Sequence, residues 1–232
     1  MNFIHPLVSM SGVTLTEDTP ADHPHHRGVF WAWRRVMIGG ESVGDAWIGR
    51  DLSYRSEPPL AVVREDGCVE IATAIVWNST RSTPALPFMQ ERARIVVQPD
   101  RDNRRSIDIE VRLRALLEHV TIAGTDDDKG YGGPSIRFAH TDALKMESDG
   151  RALTPQLGAV ETGASVDFSW QPRPERFPER VNVACLIDGR PWTRWVLRRG
   201  ASMQNCAFPG REPVAVPMES DLVMHVSISI LS

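Results

Sequence analysis

Three of the chain's seven histidines fall within four positions, in the segment Asp22-His23-Pro24-His25-His26-Arg27-Gly28. Histidine titrates most readily near neutral pH and is also the commonest metal ligand, so the cluster indicates a polar site. The cluster is internal and interrupted, which excludes a purification tag. An apolar, aromatic run follows directly, Val29-Phe30-Trp31-Ala32-Trp33. We therefore expect the histidines to lie at the mouth of a buried strand.

One hypothesis for the cluster is a divalent metal held by His23 and His25. On an extended chain these two residues point to one side and His26 points to the other. A His-x-His pair on a strand can place two imidazoles on one metal, and the intervening proline stiffens the pair. A third ligand is missing locally, and the candidates for it are Asp22, Glu91, His140 and His225. The alternatives are a metal-free polar site and a purely structural role.

Arg27 and Gly28 extend this first candidate site. Arginine offers a rigid fork for a carboxylate or a pair of oxygens, and glycine permits a close approach of the backbone. The alternative role for Arg27 is a salt bridge with Asp22.

A second candidate segment is Tyr131-Gly132-Gly133-Pro134-Ser135-Ile136-Arg137, which Lys129 and Gly130 precede. Its glycines match neither GxGxxG nor GxxxxGK[ST], and no helical pattern follows, which argues against a nucleotide-binding loop. Tyr131 and Arg137 are candidate substrate contacts, with Arg137 on the same strand face as Ser135. The alternative is a bulged beginning of a strand.

Two further residues are candidates from their context. Trp47 is the tryptophan best placed to line a site, because it lies in the loop Gly44-Asp45-Ala46-Trp47-Ile48-Gly49, whereas most tryptophans of a β-sandwich belong to its core. Glu91 begins a strand and could act as a general base beside a histidine acid. The alternative for Glu91 is an ion pair with Arg92 or Arg94.

Composition narrows the classes of partner and compartment. The 232 residues are 41% hydrophobic and 24% charged with a net charge of −4, which gives no electrostatic reason to expect a nucleic-acid partner. No apolar run approaches the roughly 20 residues of a membrane span, so no membrane association is predicted. The N-terminus lacks the features of a signal peptide, and Cys68, Cys185 and Cys206 form no disulfide framework. A cytoplasmic location is therefore expected.

The secondary-structure signal is that of strands separated by short turns. Apolar and polar residues alternate in Ile107–Arg114 and Leu222–Ile230 with the period of a half-buried strand. Asp-Gly pairs, as at residues 66–67, 149–150 and 188–189, are typical of tight turns. Further strands are predicted at Val29–Met37, Val69–Trp77, Glu91–Val97, Ser135–Ala139, Val166–Trp170, Val181–Ile187 and Trp192–Leu197, and a short helix is the weaker interpretation of Leu113–Val120. The pattern predicts an all-β fold, a single β-sandwich domain over residues 1–232.

The histidine motif followed by an aromatic strand resembles the hallmark of the PmoA-like family of bacterial proteins. Other residues match family motifs: Trp47, Glu91-Arg92, Tyr131-Gly132-Gly133-Pro134-Ser135-Ile136-Arg137, Pro191-Trp192, Trp195-Val196, Gly200 and Asn205. Glu91-Arg92 is one residue shorter than the family's Glu-x-Arg, and Pro134 replaces an apolar residue. The family's name refers to a methane oxygenase, but a subunit of that membrane enzyme needs spanning segments that this sequence lacks. The resemblance implies a galactose-mutarotase-like supersandwich, a large antiparallel β-sandwich, and an association with sugar catabolism.

Together these observations predict a carbohydrate-processing protein that binds a small-molecule carbohydrate, a sugar or sugar acid, in an open cleft. His25, His26 and Glu91 are the predicted acid-base residues of an epimerase, lyase or hydrolase. The predicted substrate-binding residues are His23, Arg27, Trp47, Tyr131 and Arg137. Two alternatives remain at this point, a non-catalytic carbohydrate-binding module and a metal-dependent oxygenase or hydrolase that uses His23 and His25.

Overall fold

A computed structural model describes residues 3–139, 143–171, 173–200 and 203–232, and the regular elements within these ranges are all β-strands. The first eleven are β1 (Phe3–Ile4), β2 (Val29–Ala32), β3 (Arg35–Ile38), β4 (Glu41–Gly44), β5 (Leu52–Ser56), β6 (Leu60–Val63), β7 (Val69–Ser79), β8 (Leu86–Val97), β9 (Arg104–Ala115), β10 (Val120–Ala123) and β11 (Gly133–Ile136). The others are β12 (Leu144–Ser148), β13 (Arg151–Ala152), β14 (Val160–Glu161), β15 (Ser165–Trp170), β16 (Arg180–Ile187), β17 (Arg190–Pro191), β18 (Arg194–Val196), β19 (Gln204–Cys206), β20 (Val214–Ala215) and β21 (Leu222–Leu231). The all-β prediction is confirmed.

The strands form three sheets. The largest has the order β13-β12-β15-β16-β21-β9-β8-β7-β5, with β17 paired to β16 and β6 paired to β7. A six-stranded sheet has the order β1-β2-β11-β19-β18-β14, and a four-stranded sheet the order β20-β10-β3-β4. The long central pairs β21 with β9, β8 with β9 and β7 with β8 are antiparallel.

Tight turns set the register of the long strands. Asp188 and Gly189, between β16 and β17, both have positive φ, 47° and 76°. Asp102 and Asn103, between β8 and β9, have φ of 50° and 56°. A two-residue hairpin turn with positive φ at both central residues has a backbone twist that matches the twist of the flanking strands. Asp, Asn and Gly adopt positive φ most readily. The turn residues therefore fix which face of each strand is buried.

The two larger sheets pack against each other as a sandwich. On β9 and β21 every second residue is buried, as the alternation predicts. The facing layer supplies Phe138, whose ring lies 5.0 Å from that of Phe168, and Trp31, whose indole N–H donates to Glu91 on β8 at 2.7 Å. Buried apolar residues of all three sheets form one continuous core.

The predicted strand Val29–Met37 is divided into two. β2 lies in the six-stranded sheet and β3 in the four-stranded sheet, because the chain changes direction at Trp33 and Arg34. The Trp33 carbonyl accepts hydrogen bonds from the N–H groups of Ala46 and Trp47 instead of a neighbouring strand. The backbone therefore leaves one sheet where it meets the Trp47 loop.

Two other expectations from the sequence concern helices. The stretch Leu113–Val120 is not a helix, since β9 continues to Ala115 and a turn leads to β10. Within the described ranges, the chain contains no helix of the length and apolarity that a membrane crossing requires.

Candidate functional site

The histidine motif is a turn and not the extended segment predicted from the sequence. The N–H of His26 donates to the carbonyl of His23 at 2.9 Å, and the N–H of Thr19 donates to the carbonyl of His26 at 2.9 Å. Pro24 occupies the second position of this turn, where a fixed φ near −65° is favoured. The turn immediately precedes buried β2, as predicted.

Because the motif turns, all three imidazoles converge. The His23 and His26 rings are stacked 4.6 Å apart with an interplanar angle of 4°, and His25 lies edge-on, 4.7 Å from His26 and 5.7 Å from His23. His26 is buried beneath the other two, against Phe30 and Trp47. The side chains that an extended chain would separate therefore form one surface.

Arg137 and Asp22 hold His23 in place. The Nδ1 atom of His23 lies 2.8 Å from Oδ2 of Asp22, and Nη2 of Arg137 donates to both Asp22 oxygens at 2.9 and 3.1 Å. Burial opposes ionisation of Asp22, but the hydrogen bonds from His23 and Arg137 outweigh it and lower its pKa to about 2. Arg137 is buried and also bonds to Glu17. It therefore positions Asp22 and does not line the cleft as the predicted substrate anchor.

A cavity of about 200 Å³ opens over the histidine turn. Three imidazoles, two cationic side chains, two aromatic rings and a methionine line it, with no carboxylate among the lining residues that the structure describes: His23, His25, His26, Lys129, Arg198, Trp47, Tyr131 and Met203. The histidine motif and the Tyr131 segment therefore meet at one cleft, which we call the first lobe. A carboxylate-free cationic lining favours an anionic ligand.

Trp47 reaches the first lobe because a buried carboxylate shapes its loop. Oδ1 of Asp45 accepts the N–H groups of Trp47 and Ile48 at 3.0 and 3.3 Å, and Oδ2 lies 3.2 Å from Nε of Arg34. Burial raises the pKa of Asp45. The Trp47 ring then lies 4.9 Å from the ring of Tyr131, which makes an aromatic wall.

A second loop, held by hydrogen bonds to Asp127, carries Lys129 and Tyr131. Oδ1 of Asp127 accepts the Thr125 hydroxyl at 2.6 Å and the N–H of Lys129 at 3.1 Å. Gly130 has φ of 57°, and a Cβ there would lie 2.8 Å from the backbone nitrogen of Arg211, so only glycine fits. The glycines of this segment thus serve close backbone packing and present the tyrosine at the cleft.

Arg198 is a second cation of the first lobe, beside Lys129, and it was not among the site residues predicted from the sequence. Its guanidinium donates to the carbonyls of Gln156 and Leu157 at 2.6 and 2.9 Å. In the part of the chain that the structure describes, no carboxylate forms an ion pair with it, and burial lowers its pKa. Lys129, by contrast, lies 3.6 Å from Asp127. Nothing in the local sequence separates Arg198 from its neighbour Arg199, so only the fold reveals it.

Arg27 and Glu91 lie outside the first lobe. Arg27 pairs with Asp18 and stacks 4.1 Å above the Phe3 ring. Glu91 is fully buried between the sheets, where its two oxygens accept the indole N–H groups of Trp31 and Trp77 at 2.7 and 2.9 Å. Its predicted place in the cleft is therefore wrong, because the side chain points into the core.

The stacked rings are unfavourable for a shared metal ion. The rings of the proposed metal pair, His23 and His25, lie 5.7 Å apart at 78°, and the third imidazole, His26, is stacked parallel to His23. A ring nitrogen directs its lone pair within the ring plane, so His23 and His26 cannot both point at one ion. Among the described residues, no group of three or more His, Cys, Asp or Glu side chains is arranged to hold a metal. Of the proposed third ligands, Asp22 bonds to His23 and Arg137, Glu91 is in the core, His225 lies beside Glu110 on the large sheet, and His140 falls outside the described residues.

Burial and the neighbouring cations keep two of the imidazoles uncharged. Burial first, and then His25, His23 and Arg137, lower the pKa of His26 from 6.5 to about 3. Burial, His23 and Arg34 also lower the pKa of His25. At pH 7 His26 is therefore neutral, so it is poorly suited to the acid role that the sequence suggested.

The lowered pKa of His26 makes the fold sensitive to acid. Below pH 6.5 the unfolded chain binds a proton at this residue and the folded chain does not until about pH 3, so stability falls as the pH is lowered. The expected slope is about 1.4 kcal/mol per pH unit for one proton. Urea unfolding between pH 7 and pH 4.5 measures it. His26→Gln, which cannot titrate, should lose this share of the slope, and an unchanged slope would contradict the assignment.

Comparison with known proteins places the chain in a family and leaves its activity open. No curated protein matches it. The model of one protein family matches residues 1–232, that is, the whole sequence with both candidate segments. The chain belongs to this family, which is described as a family of unknown function, DUF6807.

Proposed function

We propose that the protein binds a small carbohydrate that carries a carboxylate and abstracts the proton from the carbon next to that carboxylate. The observation that carries the proposal is the lining of the first lobe. Neutral His25 and His26, and His23 paired with Asp22, share this cavity with Lys129, Arg198 and the rings of Trp47 and Tyr131. Abstraction of such a proton creates negative charge on the carboxylate oxygens, and preorganised cations stabilise that charge. Epimerases and lyases share this first step.

His23 is the base in this proposal. When Nδ1 carries the hydrogen and donates it to Asp22, the lone pair of Nε2 is left free to accept a proton. The Asp22 carboxylate then stabilises the imidazolium that forms, as in a Ser-His-Asp triad. His25 stays neutral and offers a hydrogen bond at the edge of the lobe. This assignment transfers the basic role from Glu91 to His23.

Two other functions fit these residues less well. Glycoside hydrolases commonly use two carboxyl groups across the scissile bond, and none of the described residues that line the lobe is acidic. A non-catalytic carbohydrate-binding module has no need for a histidine cluster, and Trp31, Trp33, Trp77, Trp170 and Trp195 are buried in the core, which leaves Trp47 as the tryptophan that lines the lobe. The cationic lining therefore favours an acid-base enzyme acting on a sugar acid.

Calorimetry with glucuronate and galacturonate, beside glucose and galactose, tests the ligand class. We expect the acids to bind and the neutral sugars to bind at least tenfold more weakly. Arg198→Met should weaken binding of the acids about tenfold to a hundredfold, because a hydrogen bond to a charged group contributes about 1.5–3 kcal/mol.

The matched control is Arg199→Met, which removes an exposed arginine next to Arg198. It should leave the affinity for the acids unchanged, and melting temperatures should show that both variants fold. Equal binding of acids and neutral sugars, or equal effects of the two substitutions, would overturn the proposal.

A further inference from the structure

A second cavity lies on the other side of His25. It has a volume of about 170 Å³, and its lining residues are Pro24, His25, Arg27, Ala46, Trp47, Ile48, Gly49 and Tyr54. His25 and Trp47 line both cavities, so the two form adjoining lobes of one cleft. Each lobe alone is smaller than the roughly 300–1,000 Å³ of most ligand sites, whereas the two together fall in that range.

The second lobe differs from the first in charge. Its one cation among the described lining residues, Arg27, is already paired with Asp18 and stacked on Phe3. The other walls are apolar or aromatic, with Ile48 partly exposed at 40%. This lining suits an uncharged ring that presents a C–H face to an aromatic side chain.

The hydroxyl of Tyr54 favours a hydroxylated ring as the ligand of this lobe. It is buried and has no hydrogen-bond partner among the described residues. Burial raises the pKa of Tyr54, so the phenol keeps its hydrogen and can donate it. Buried polar groups are normally satisfied, and a ligand hydroxyl that displaces the wall now covering the Tyr54 oxygen would supply the missing partner.

We infer that the cleft binds a disaccharide acid, with the sugar acid in the first lobe, a neutral sugar in the second and their linking oxygen beside His25. The inference rests on the proposed function and extends it from proton abstraction to a lyase reaction. His25 is placed for this role because it faces both lobes and its ring lies 5.7 Å from that of His23.

The reaction is an elimination that needs no oxidant, reductant or water. Nε2 of His23 takes the proton from the carbon next to the carboxylate, and the electron pair of that C–H bond forms a double bond to the adjacent carbon. The bond from that carbon to the linking oxygen breaks, and its electron pair leaves with the oxygen. His25 donates a hydrogen bond to the departing oxygen, which then takes the proton back from His23.

The test compares the binding of a glucosyl-glucuronate with that of glucuronate alone. In the disaccharide, the glucose is linked through the oxygen on the β-carbon of the glucuronate, counted from the carboxylate. We expect the disaccharide to bind at least tenfold more tightly. The wild-type protein should convert it to glucose and an unsaturated acid, whose conjugated double bond is followed by ultraviolet absorbance. Tyr54→Phe should reduce the preference for the disaccharide over glucuronate about threefold to tenfold, since one hydrogen bond is lost.

The outcomes separate this inference from the function on which it rests. Binding of glucuronate with no preference for the disaccharide, or a preference that Tyr54→Phe leaves unchanged, overturns the second subsite and leaves the sugar-acid proposal standing. Preferred binding without an unsaturated product overturns the elimination. Failure of both acids to bind overturns the proposed function itself.

Discussion

Replacing His23 with glutamine is expected to slow exchange of the hydrogen next to the carboxylate of a bound sugar acid by about 10²–10⁴-fold, the usual contribution of a general base. The imidazole of His23 is half-exposed in the first lobe, and Asp22 and Arg137 orient it. Because the residue is not in the core, its loss should change the free energy of unfolding little. Exchange is measured by NMR in deuterated water with glucuronate bound.

Two further substitutions separate catalysis from positioning. His225→Gln changes a histidine on the outer face of the large sheet, beside Glu110, and should leave exchange at the wild-type rate. Asp22→Asn keeps the shape of the carboxyl group but removes the charge that stabilises a protonated His23, so exchange should also be slow. Wild-type exchange in His23→Gln with intact glucuronate binding would exclude His23 as the base.

Most of the fold followed from local patterns in the sequence. The alternation in Ile107–Arg114 and Leu222–Ile230 predicted β9 and β21 because the side chains of a half-buried strand face core and solvent in turn. The division of Val29–Met37 was not predicted. It depends on the Trp33 carbonyl binding the Trp47 loop, a contact made by residues that come later in the chain.

Several residues of the candidate cleft could be selected from the sequence, but their geometry could not. The histidine motif and Tyr131 were selected as types of residue, and the fold brings them to one cavity. Pro24 at the second position of a tight turn was the signal that the motif is not extended. Arg198 carried no such signal, because its importance comes from the absence of a paired carboxylate in the described fold and from its place beside the histidines.

The difference between Arg137 and Arg198 shows why residue type alone does not define an anion site. Both are arginines, but Arg137 is engaged by Glu17 and Asp22, whereas Arg198 donates to backbone carbonyls. The Arg137 guanidinium is bonded to two carboxylates, and its remaining nitrogen, Nη1, is buried without a partner among the described residues, so Arg137 does not line the cavity. The contribution of Arg137 is therefore indirect, through the orientation of Asp22 and His23.

Glu91→Ala is expected to destabilise the protein by about 2–6 kcal/mol. Glu91 accepts the indole N–H of Trp31 from the six-stranded sheet and that of Trp77 from the large sheet, with no exposed surface of its own. Each indole donor left unsatisfied costs about 1–3 kcal/mol. Glu91→Gln keeps the volume but turns an amide N–H group towards one indole, so it should cost about 1–3 kcal/mol.

Urea unfolding of these two variants decides between the core role of Glu91 and the base role that its sequence context suggested. Glu65→Gln, an exposed glutamate in a turn, is the control and should change stability by less than about 0.5 kcal/mol. If Glu91→Gln matched this control in stability and still abolished proton exchange, Glu91 would be the base after all. The two buried indole donors argue for the opposite result, because the Glu91 carboxyl group holds the two sheets together and has no exposed surface through which to reach a ligand in the cleft.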